Sequence, residues 1–556
     1  MTHPIATILI LLAAISLVFT ALPETAAADK VGDATQAGAV TAAAPVRVVE
    51  LRGDAGGRRF DGVGVVNGGG ATSVLLKDYP EPQRSQILDL IFKPKFGASV
   101  SALLVEIPGD GNSTQGSMPS HMHTRDDLDY SRGYTWWILR EAKKRNPNLT
   151  LDGTAWSAPG WVGNGNFWSQ DAADYYVKWL QGLRKVYGLE FDAIGCRNEK
   201  GVSFEFAKML RRTLDANGFG KVKIHAFDNW PDDKFDFVKA MPAERVLRDS
   251  IDIIGAHILS SRTPASAEVQ EMAVRMNKPI WDTEEHVYKK GFDAAISIVE
   301  AFNENYIRSG ATKVVNWYDI AGVYPMQPYS EDPAALLAHS PWSGHYEVRE
   351  ALWGYAHYGQ FTEVGWQYLD GGSGELAGGG TFVTLKSSPG DYSVIVETKG
   401  AKAPQQIQFR IGGGLSAGEL CVWRSDAREQ FVRQAGIKPA GGAFTVTLEP
   451  APSTLFPQPG GSGKAPSTTS RRRGHSRSPI TRPSSRTPVP NGGATCRATR
   501  PTSPARSSSP AAPAAKGGAC AKSCPCLRSP GRRTGCPTRY SGTKGGGTTK
   551  SAPTYT

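Results

Sequence analysis

Short apolar runs recur between residues 60 and 320, and most are followed by a segment of helical length. Two of the intervening stretches, 134–145 and 173–187, have the apolar spacing of an amphipathic helix. This alternation favours a parallel α/β arrangement, in which helices connect successive strands. The eight runs span 60–68, 99–107, 149–157, 191–199, 221–229, 251–259, 278–286 and 312–320. Eight such units predict a (β/α)8 TIM barrel.

The pattern changes after about residue 360. Between 363 and 449 six strand-like runs follow one another closely, without helical segments between them. That spacing predicts an antiparallel β-sandwich. We therefore expect the barrel over 59–360 and a C-terminal β-sandwich domain over 361–457. A further strand-like stretch within 46–58 either pairs with the first barrel strand or, as we expect, joins the sandwich.

The N-terminus has the pattern of a targeting segment. An apolar run over 5–22 is followed by Pro23 and by the small residues Ala26, Ala27 and Ala28. This order is typical of a secretory signal peptide, although no Lys or Arg precedes the apolar run. We expect a signal peptide over 1–28, a linker over 29–45 and a secreted protein without an integral membrane span. The alternative is an N-terminal membrane anchor, for which the run is marginally long.

Charge divides the chain near residue 458. The net charge is +11, but residues 460–556 contain 18 Lys and Arg and no Asp or Glu. The preceding residues therefore hold 45 basic and 52 acidic side chains, so the excess of basic charge belongs to the tail alone. The body gives no reason to expect a nucleic-acid partner.

The tail over 458–556 is rich in Ser, Pro, Thr, Gly, Arg and Ala and has no sustained apolar period, which predicts disorder. It holds five of the seven cysteines, so the body, with Cys196 and Cys421, implies no disulfide framework. The alternatives are a basic nucleic-acid-binding or cell-wall-binding arm, a Cys-rich knot, or the product of a shifted reading frame.

Two carboxyl groups stand at the ends of predicted strands. Glu199 ends the fourth run and Glu284 ends the seventh, and the C-terminal strand ends of a barrel meet on the face where chemistry is done. A retaining glycosidase needs one carboxyl that donates a proton and one that attacks the anomeric carbon. The side-chain amide of Asn198, beside the first carboxyl group, can form a hydrogen bond with a sugar 2-hydroxyl. The alternatives are a solvated loop role for either residue, or Glu285 in place of Glu284.

Long motifs support this interpretation: FDGVGVVNGGGATSVLLKDYPEPQRSQILDLIFKPKFGAS (60–99), VEIPGDGNST (105–114), PSHMH (119–123), RGYTWWILREAKKRNPNLTL (132–151), WSAPGW (156–161) and PWSGHY (341–346). Together they resemble the galactocerebrosidase family, glycoside hydrolase family 59, over about 59–457. That family consists of retaining β-galactosidases built on a large barrel.

The resemblance implies roles for several residues. By position, Glu199 is the acid/base, Glu284 the nucleophile and Asn198 a galactose ligand. Thr114 and Trp156 match the family's galactose-binding Thr and Trp. The other residues that we expect in substrate binding are Trp317, a candidate sugar platform on the eighth run, and Arg410, which lies two residues from the place of the family's galactose-contacting Arg. For Trp156 and Trp317 the alternative is a core aromatic without substrate contact.

The chain also departs from the family's pattern. Arg197 stands two residues before Glu199, and strand alternation would put both on one side, where the cation would oppose proton donation. Ile258 replaces a Tyr and so removes a hydroxyl partner of the nucleophile. Gln408 occupies the place of the galactose-contacting Arg. The basic tail stands where the family has a lectin-like domain that contributes to the pocket rim.

Other motifs carry less chemistry. Gly68, Gly69 and Gly70 lack the spacing of a phosphate loop, so we expect a tight turn. His121 and His123 have no nearby Cys or carboxylate that obviously completes a metal site, so we expect structural hydrogen bonds.

Our hypothesis is a secreted retaining β-galactosidase that acts on galactosylceramide-like glycolipids or other β-galactosides. The hypothesis implies no metal and no organic cofactor. The alternatives are a β-glucosidase or β-galactanase of the same clan, or an inactive carbohydrate-binding protein. The sequence does not indicate an oligomeric state.

Overall fold

A computed structural model describes residues 46–323, 334–388 and 390–450, and the backbone of 453–459. The predicted signal peptide and linker, and the predicted tail beyond residue 459, lie outside the described residues. Within the described part, no helix combines the length and apolar character that crossing a membrane requires.

One strand, β1 (Arg47–Arg52), precedes an eight-stranded parallel sheet, and each of the eight predicted runs contains or overlaps one strand of that sheet. The strands are β2 (Gly62–Asn67), β3 (Ala102–Glu106), β4 (Thr150–Thr154), β5 (Ala193–Gly195), β6 (Lys223–Phe227), β7 (Ile253–His257), β8 (Ile280–His286) and β9 (Ala311–Trp317). Their order is β4-β3-β2-β9-β8-β7-β6-β5. The backbone N–H of Asp192 donates to the carbonyl of Leu151 at 2.8 Å across the remaining gap. The sheet therefore curls into a nearly closed TIM barrel, as predicted.

Helices alternate with these strands and cover the barrel. They are α1 (Gln83–Phe92), α2 (Thr135–Arg145), α3 (Gln170–Tyr187), α4 (Phe204–Ala216), α5 (Arg245–Ser250), α6 (Ala267–Arg275), α7 (Gly291–Ser309) and, later in the chain, α8 (Ala351–Gly359). Local sequence explains several ends. The hydroxyl of Ser203 caps α4 by accepting from the N–H of Phe206 at 3.2 Å, and Gly188, in the left-handed region, ends α3.

A small sheet that the sequence did not predict follows the last barrel strand. It contains β10 (Ile320–Ala321), β11 (Leu336–Ser340) and β12 (His345–Val348). These segments are short and lie among loop-like sequence, so no sustained alternation marks them.

Two further sheets form the β-sandwich. One contains β13 (Gln367–Tyr368), β14 (Gly374–Glu375), β15 (Thr381–Lys386), β16 (Tyr392–Glu397), β18 (Leu420–Asp426), β19 (Val432–Arg433) and β21 (Ser453–Pro459), and the other joins β1 to β17 (Gln405–Gly412) and β20 (Ala443–Leu448). Inward side chains such as Leu51, Phe382 and Phe409 share one buried core. The strand within 46–58 thus pairs with the sandwich, and it does so in parallel with β17, so the sandwich is not wholly antiparallel.

The barrel interior contains a network of buried charges. Asp152 accepts from Lys313 Nζ at 3.1 Å and lies 2.9 Å from His225 Nε2. The other ring nitrogen of His225 lies 2.7 Å from Asp228 Oδ1, which also accepts from the hydroxyl of Thr283 at 2.8 Å. Burial lowers the pKa of His225, but the two carboxylates outweigh burial and raise it to about 10. The network therefore ties together β4, β6, β8 and β9 inside the barrel.

Candidate active site

A cavity of about 300 Å³ opens where the barrel strands end. Six of the seven predicted site residues line it: Thr114, Trp156, Asn198, Glu199, Glu284 and Trp317. The remaining lining residues are Asn112, Ser113, Lys200, His286 and Tyr288. A larger cavity of about 740 Å³, with Asp192, Lys223 and Trp281 in its wall, lies at the opposite strand ends. Chemistry in TIM barrels is done at the C-terminal face, so we assign the smaller cavity as the candidate site.

Glu199 reaches the cavity because the chain bends after β5. The strand ends at Gly195, and Glu199 has a φ of 52°, in the left-handed region. Backbone bonds hold the bend: Asn198 N–H donates to the carbonyl of Ala155, and Glu199 N–H to that of Asp228, each at 3.0 Å. The carboxyl group is thus placed by neighbouring strands on both sides.

Arg197 points away from Glu199, contrary to the expectation from strand alternation. Its guanidinium lies 4.2 Å from the ring centroid of Phe167 and 5.7 Å from that of Trp168. The alternation argument was wrong because the strand ends two residues before Arg197, so the backbone no longer has a period of two. The cation is stabilised by aromatic faces and does not face the proposed acid.

Glu284 lies near the end of β8, and its side chain enters the cavity. Its Oε1 lies 2.9 Å from His286 Nε2, while its buried Oε2 has no hydrogen-bond partner among the described residues. The replacement of Tyr by Ile258 agrees with this, since Ile258 offers Glu284 only a backbone N–H, which donates to the carbonyl at 3.1 Å.

Glu285 faces the other side of the strand. Its carboxylate accepts from Ser260 N–H at 3.0 Å and from Asn305 Nδ2 at 3.1 Å, and it is fully buried. It therefore supports the strand and does not line the cavity.

The two carboxyl groups approach each other around His257. One oxygen of Glu199, one of Glu284 and one ring nitrogen of His257 all lie within 4.8 Å of one another. Retaining glycosidases hold their carboxyl groups about 5–5.5 Å apart, and inverting ones about 6.5–9.5 Å apart. Two carboxyl groups whose nearest oxygens lie within 4.8 Å are closer to the separation of a retaining site than to that of an inverting one.

His257 sets the electrostatics of this group. Its Nδ1 lies 3.1 Å from Glu199 Oε1. Burial lowers the pKa of His257, but the carboxylates of Glu199, Glu284 and Asp228 raise it to about 9. Conversely, burial raises the pKa of Glu199, but the hydrogen bond from His257 and the charges of His257, His286 and Lys200 hold it below its ordinary value. At neutral pH the pair is an imidazolium beside a carboxylate.

The same three side chains are close enough to hold a metal ion. A histidine must be neutral to ligate a metal, and the pKa of about 9 keeps His257 protonated at neutral pH. The group is therefore better suited to proton transfer than to metal binding.

Glu106, at the end of β3, holds the loop that carries Thr114 and the turn that contains Gly69 and Gly70. Its carboxylate accepts from the Gly70 N–H and, at 3.0 Å, from the Ser113 hydroxyl. Burial raises the pKa of Glu106 to about 7. Gly69 has a φ of +80°, and a Cβ there would lie 3.1 Å from Trp317 Nε1, so the expected tight turn also packs against the cavity wall.

Sequence reasoning missed Glu106, His257 and His286 as site residues. Glu106 and His257 are the polar residues that end otherwise apolar strands, whereas His286 ends a strand that already carries several polar residues. That position was the available signal.

Arg410 does not reach the cavity. It lies on β17, where its guanidinium pairs with Glu50 at 3.2 Å and is largely exposed. Gln408, on the same strand, donates to the Thr445 hydroxyl at 3.4 Å. Both side chains thus engage strands of the sandwich.

The two histidines of the PSHMH motif make structural contacts. His121 Nε2 lies 3.1 Å from the carbonyl of Tyr175, and His123 Nδ1 lies 2.8 Å from Asp110 Oδ1. Neither histidine lines the candidate site.

Known proteins resemble this chain in sequence over the barrel. The model of glycosyl hydrolase family 59 matches residues 60–360. The galactocerebrosidase of Salmo salar is 38% identical over 71% of this chain and 61% of its own length. That of Homo sapiens is 42% identical over 63% of this chain and 50% of its own length. The chain thus spans about half to three fifths of these curated relatives.

Solved structures share the fold. The catalytic domain of GH30 xylanase C from Talaromyces cellulolyticus superimposes with a TM-score of 0.59 at 14% identity, over 74% of this chain and 99% of that one. SrfJ from Salmonella typhimurium gives a TM-score of 0.57 at 15% identity, over 75% of this chain and 93% of that one. At such identity the likeness concerns the architecture alone.

Proposed function

Since the chain belongs to glycosyl hydrolase family 59, we propose that it is a retaining β-galactosidase. The observation that carries the proposal is the pair of carboxyl groups at the barrel mouth: one oxygen of Glu199 and one of Glu284 lie within 4.8 Å of each other. The substrate class follows from the relatives that are named galactocerebrosidases. We therefore propose terminal β-linked galactose, in a galactolipid or another β-galactoside, as the substrate.

In the first step, Glu284 attacks the anomeric carbon and Glu199 donates a proton to the glycosidic oxygen. The carbon–oxygen bond breaks, the aglycone leaves as a neutral alcohol, and galactose is held as an ester of Glu284. In the second step, water attacks the same carbon while Glu199 accepts its proton. Glu284 is released as a carboxylate, and galactose leaves with its β configuration retained.

The unpartnered oxygen of Glu284 suits the attacking role. A buried carboxylate oxygen without a hydrogen bond is poorly stabilised, which favours its reaction with an electrophilic carbon. His286 orients the carboxylate through the other oxygen, at 2.9 Å.

Glu199 must carry a proton when the glycosidic bond breaks, yet His257 favours its ionised form. The first step is accordingly favoured at acid pH, where Glu199 is more often protonated.

Four further residues are proposed to hold the sugar. Asn198 is buried, and its Oδ1 has no hydrogen-bond partner among the described residues, which suits a sugar 2-hydroxyl. Trp156, which is partly exposed, offers an aromatic face to sugar C–H groups. Trp317 lines the cavity although it is only 2% exposed, and its indole N–H donates to the Gly68 carbonyl at 2.9 Å. Thr114 lines the same cavity.

The experiment measures galactose release by the purified protein from methyl β-galactoside, other β-galactosides and galactosylceramide. Matched β-glucosides and β-galactans test the alternative sugars. Activity that is lost in Glu284→Gln and in Glu199→Gln supports the proposal. Absence of galactose release from every substrate contradicts it, and tight galactose binding without turnover would instead indicate the inactive carbohydrate-binding alternative.

A further inference from the structure

A cavity of about 740 Å³ lies at the N-terminal ends of the barrel strands, opposite the sugar cavity. We call it the basal cavity. Residues at or just before the start of five strands contribute to its wall: Asp61, Thr150, Asp192, Lys223 and Trp281. Its volume lies within the range of about 300–1,000 Å³ that small-molecule sites occupy. The proposed glycosidase reaction does not use it.

Hydrogen bonds between neighbouring strands fix the wall of the basal cavity. The backbone N–H of Asp192 donates to the carbonyl of Leu151 at 2.8 Å, and the Asp192 carboxylate accepts from the Leu151 N–H at 2.7 Å. The carboxylate of Asp61 accepts from the indole N–H of Trp281 at 3.0 Å and from the hydroxyl of Thr312 at 2.6 Å. The cavity is therefore a preformed feature of the barrel.

Three carboxylates line the basal cavity, and donors of the protein engage all three. Asp61 and Asp192 accept the bonds just described, and Arg59 also donates to Asp61. Glu190 pairs with Arg184 at 3.0 Å. The acidic side chains of the wall thus have their partners within the protein.

Three lysines line the same cavity without such partners. Lys221 and Lys223, at the start of β6, are exposed and make no ion pair or side-chain hydrogen bond with the residues that the structure describes. Lys143, near the end of α2, donates to the carbonyl of Pro147 at 3.0 Å but forms no ion pair within that part of the chain. Burial lowers the pKa of Lys143, and the charge of Asp192 opposes this only in part. The cavity therefore presents three ammonium groups whose charge is not paired.

This arrangement suits a multiply charged anion. The wall has four basic and three acidic side chains, a net charge of +1, but only the basic side lacks partners. Lysine binds phosphate as a point charge with three donors. A phosphate monoester carries about −1.5 to −2 charges at neutral pH, so several lysines can share it.

The basal cavity is larger than a phosphate ion requires. Its lining includes the side chains of Pro147, Leu189 and Val364, together with the rings of Phe191 and Trp281, which are 5% and 7% exposed. Apolar surface of this kind is stabilised when another apolar group covers it. A ligand that matches the whole cavity has a phosphate at one end and an apolar or aromatic body at the other.

We propose that the basal cavity binds a small organic phosphate monoester. Lys143, Lys221 and Lys223 hold the phosphate, and Val364 lies against the organic body. The site is separate from the sugar cavity, because no residue lines both. It does not depend on the proposed glycosidase function.

Calorimetry on the full chain tests the proposal with 1-naphthyl phosphate, 1-naphthyl sulfate and inorganic phosphate. We expect 1-naphthyl phosphate to have a Kd at least about tenfold lower than that of inorganic phosphate, because the naphthyl group covers apolar surface. It should also bind more tightly than the sulfate ester, which has the same body and less charge. Absence of binding, or a Kd equal to that of either other probe, would overturn the proposal.

Substitutions test whether the ligand lies in the basal cavity. Lys143→Gln, Lys221→Gln and Lys223→Gln should each raise the Kd of 1-naphthyl phosphate at least about fivefold, the scale of one ion contact at roughly 4 Å in water. Val364→Ser should raise it about threefold, the scale of one lost apolar contact. The same change should leave the Kd of inorganic phosphate unaltered.

Lys178→Gln and Lys200→Gln are the matched controls and should leave the Kd unchanged. Lys178 is exposed on α3 and lines neither cavity, whereas Lys200 lines the sugar cavity. The basic residues over 460–556 are the same in every variant. Binding that none of the three cavity lysines affects would therefore belong to the tail and would overturn the proposal. Binding that only Lys200→Gln weakens would belong to the sugar cavity and would also overturn it.

Discussion

Replacing His257 with Asn tests the electrostatics of the catalytic pair. The amide can still donate to Glu199, but the positive charge 3.1 Å from Glu199 Oε1 is lost. Burial lowers the pKa of His257, yet Glu199, Glu284 and Asp228 raise it from 6.5 to about 9. At about 1.4 kcal/mol per pKa unit, this shift corresponds to up to about 3 kcal/mol of net attraction between the imidazolium and the carboxylates.

This attraction is mutual, so its loss raises the pKa of Glu199. Glu199 must be protonated when the glycosidic bond breaks, and kcat/KM should therefore persist to higher pH in His257→Asn than in the unaltered protein. The assay is the pH profile of kcat/KM on methyl β-galactoside. His123→Asn is the control, because His123 pairs with Asp110 outside the cavity. An alkaline limb that stays in place, or moves to lower pH, would refute the reasoning.

Stability gives a second readout of the same substitution. The folded-state pKa of about 9 exceeds the ordinary value of 6.5. The contribution of His257 is therefore fully present below pH 6.5 and is lost as the pH rises through 9. Urea unfolding on both sides of this window should show the unaltered protein losing up to about 3 kcal/mol more than His257→Asn. An equal loss in the two proteins contradicts the assignment.

Three further substitutions test the barrel and the sugar cavity. Lys313→Met removes the ammonium group that lies 3.1 Å from the fully buried Asp152, so the free energy of unfolding, measured in urea, should fall by about 3–5 kcal/mol. The double change Asp152→Asn with Lys313→Met should lower the free energy of unfolding by less than the sum of the two single changes. Trp156→Ala should lower kcat/KM for methyl β-galactoside about tenfold through the loss of an aromatic face, whereas Trp342→Ala, outside the cavity lining, should not. Gly69→Ala places a Cβ 3.1 Å from Trp317 Nε1 at a φ of +80° and should weaken galactose binding in calorimetry; unchanged binding would show that this turn does not shape the site.

The barrel could be predicted from sequence because eight short strand-like runs, most of them apolar, alternate with segments of helical length. A strand buried on both faces needs such a run, and β2 and β9 are buried at every position. The pairing partner of β1 was harder, since its alternating burial suits either sheet. Only its parallel register with β17 distinguishes them.

The carboxyl groups at strand ends could be found, but their surroundings could not. The direction of the Arg197 side chain depends on the residue at which β5 ends. A change of one residue in the length of the strand reverses the side to which every later side chain points. Asp152, His225 and Lys313 are charged residues within barrel strands. They can be buried because they pair with one another, and the sequence alone does not show this pairing. Arg410 was expected to contact the sugar but lies outside the cavity. Pairing of β1 with β17 places Glu50 beside it, and the two side chains form an ion pair on the sandwich.

The most direct test of the account is the capture of the glycosyl-enzyme intermediate. In a 2-deoxy-2-fluoro-β-galactosyl fluoride, the fluorine at C2 slows both steps because it destabilises their oxocarbenium-like transition states. The anomeric fluoride is a good leaving group and departs as fluoride ion, so the first step still proceeds while hydrolysis of the intermediate is slow. Peptide mass spectrometry should find the fluorogalactosyl group on Glu284, and Glu284→Gln should remain unlabelled. A label on Glu285 or elsewhere, or galactose released with inverted configuration, would contradict the assignment of Glu284 as the nucleophile.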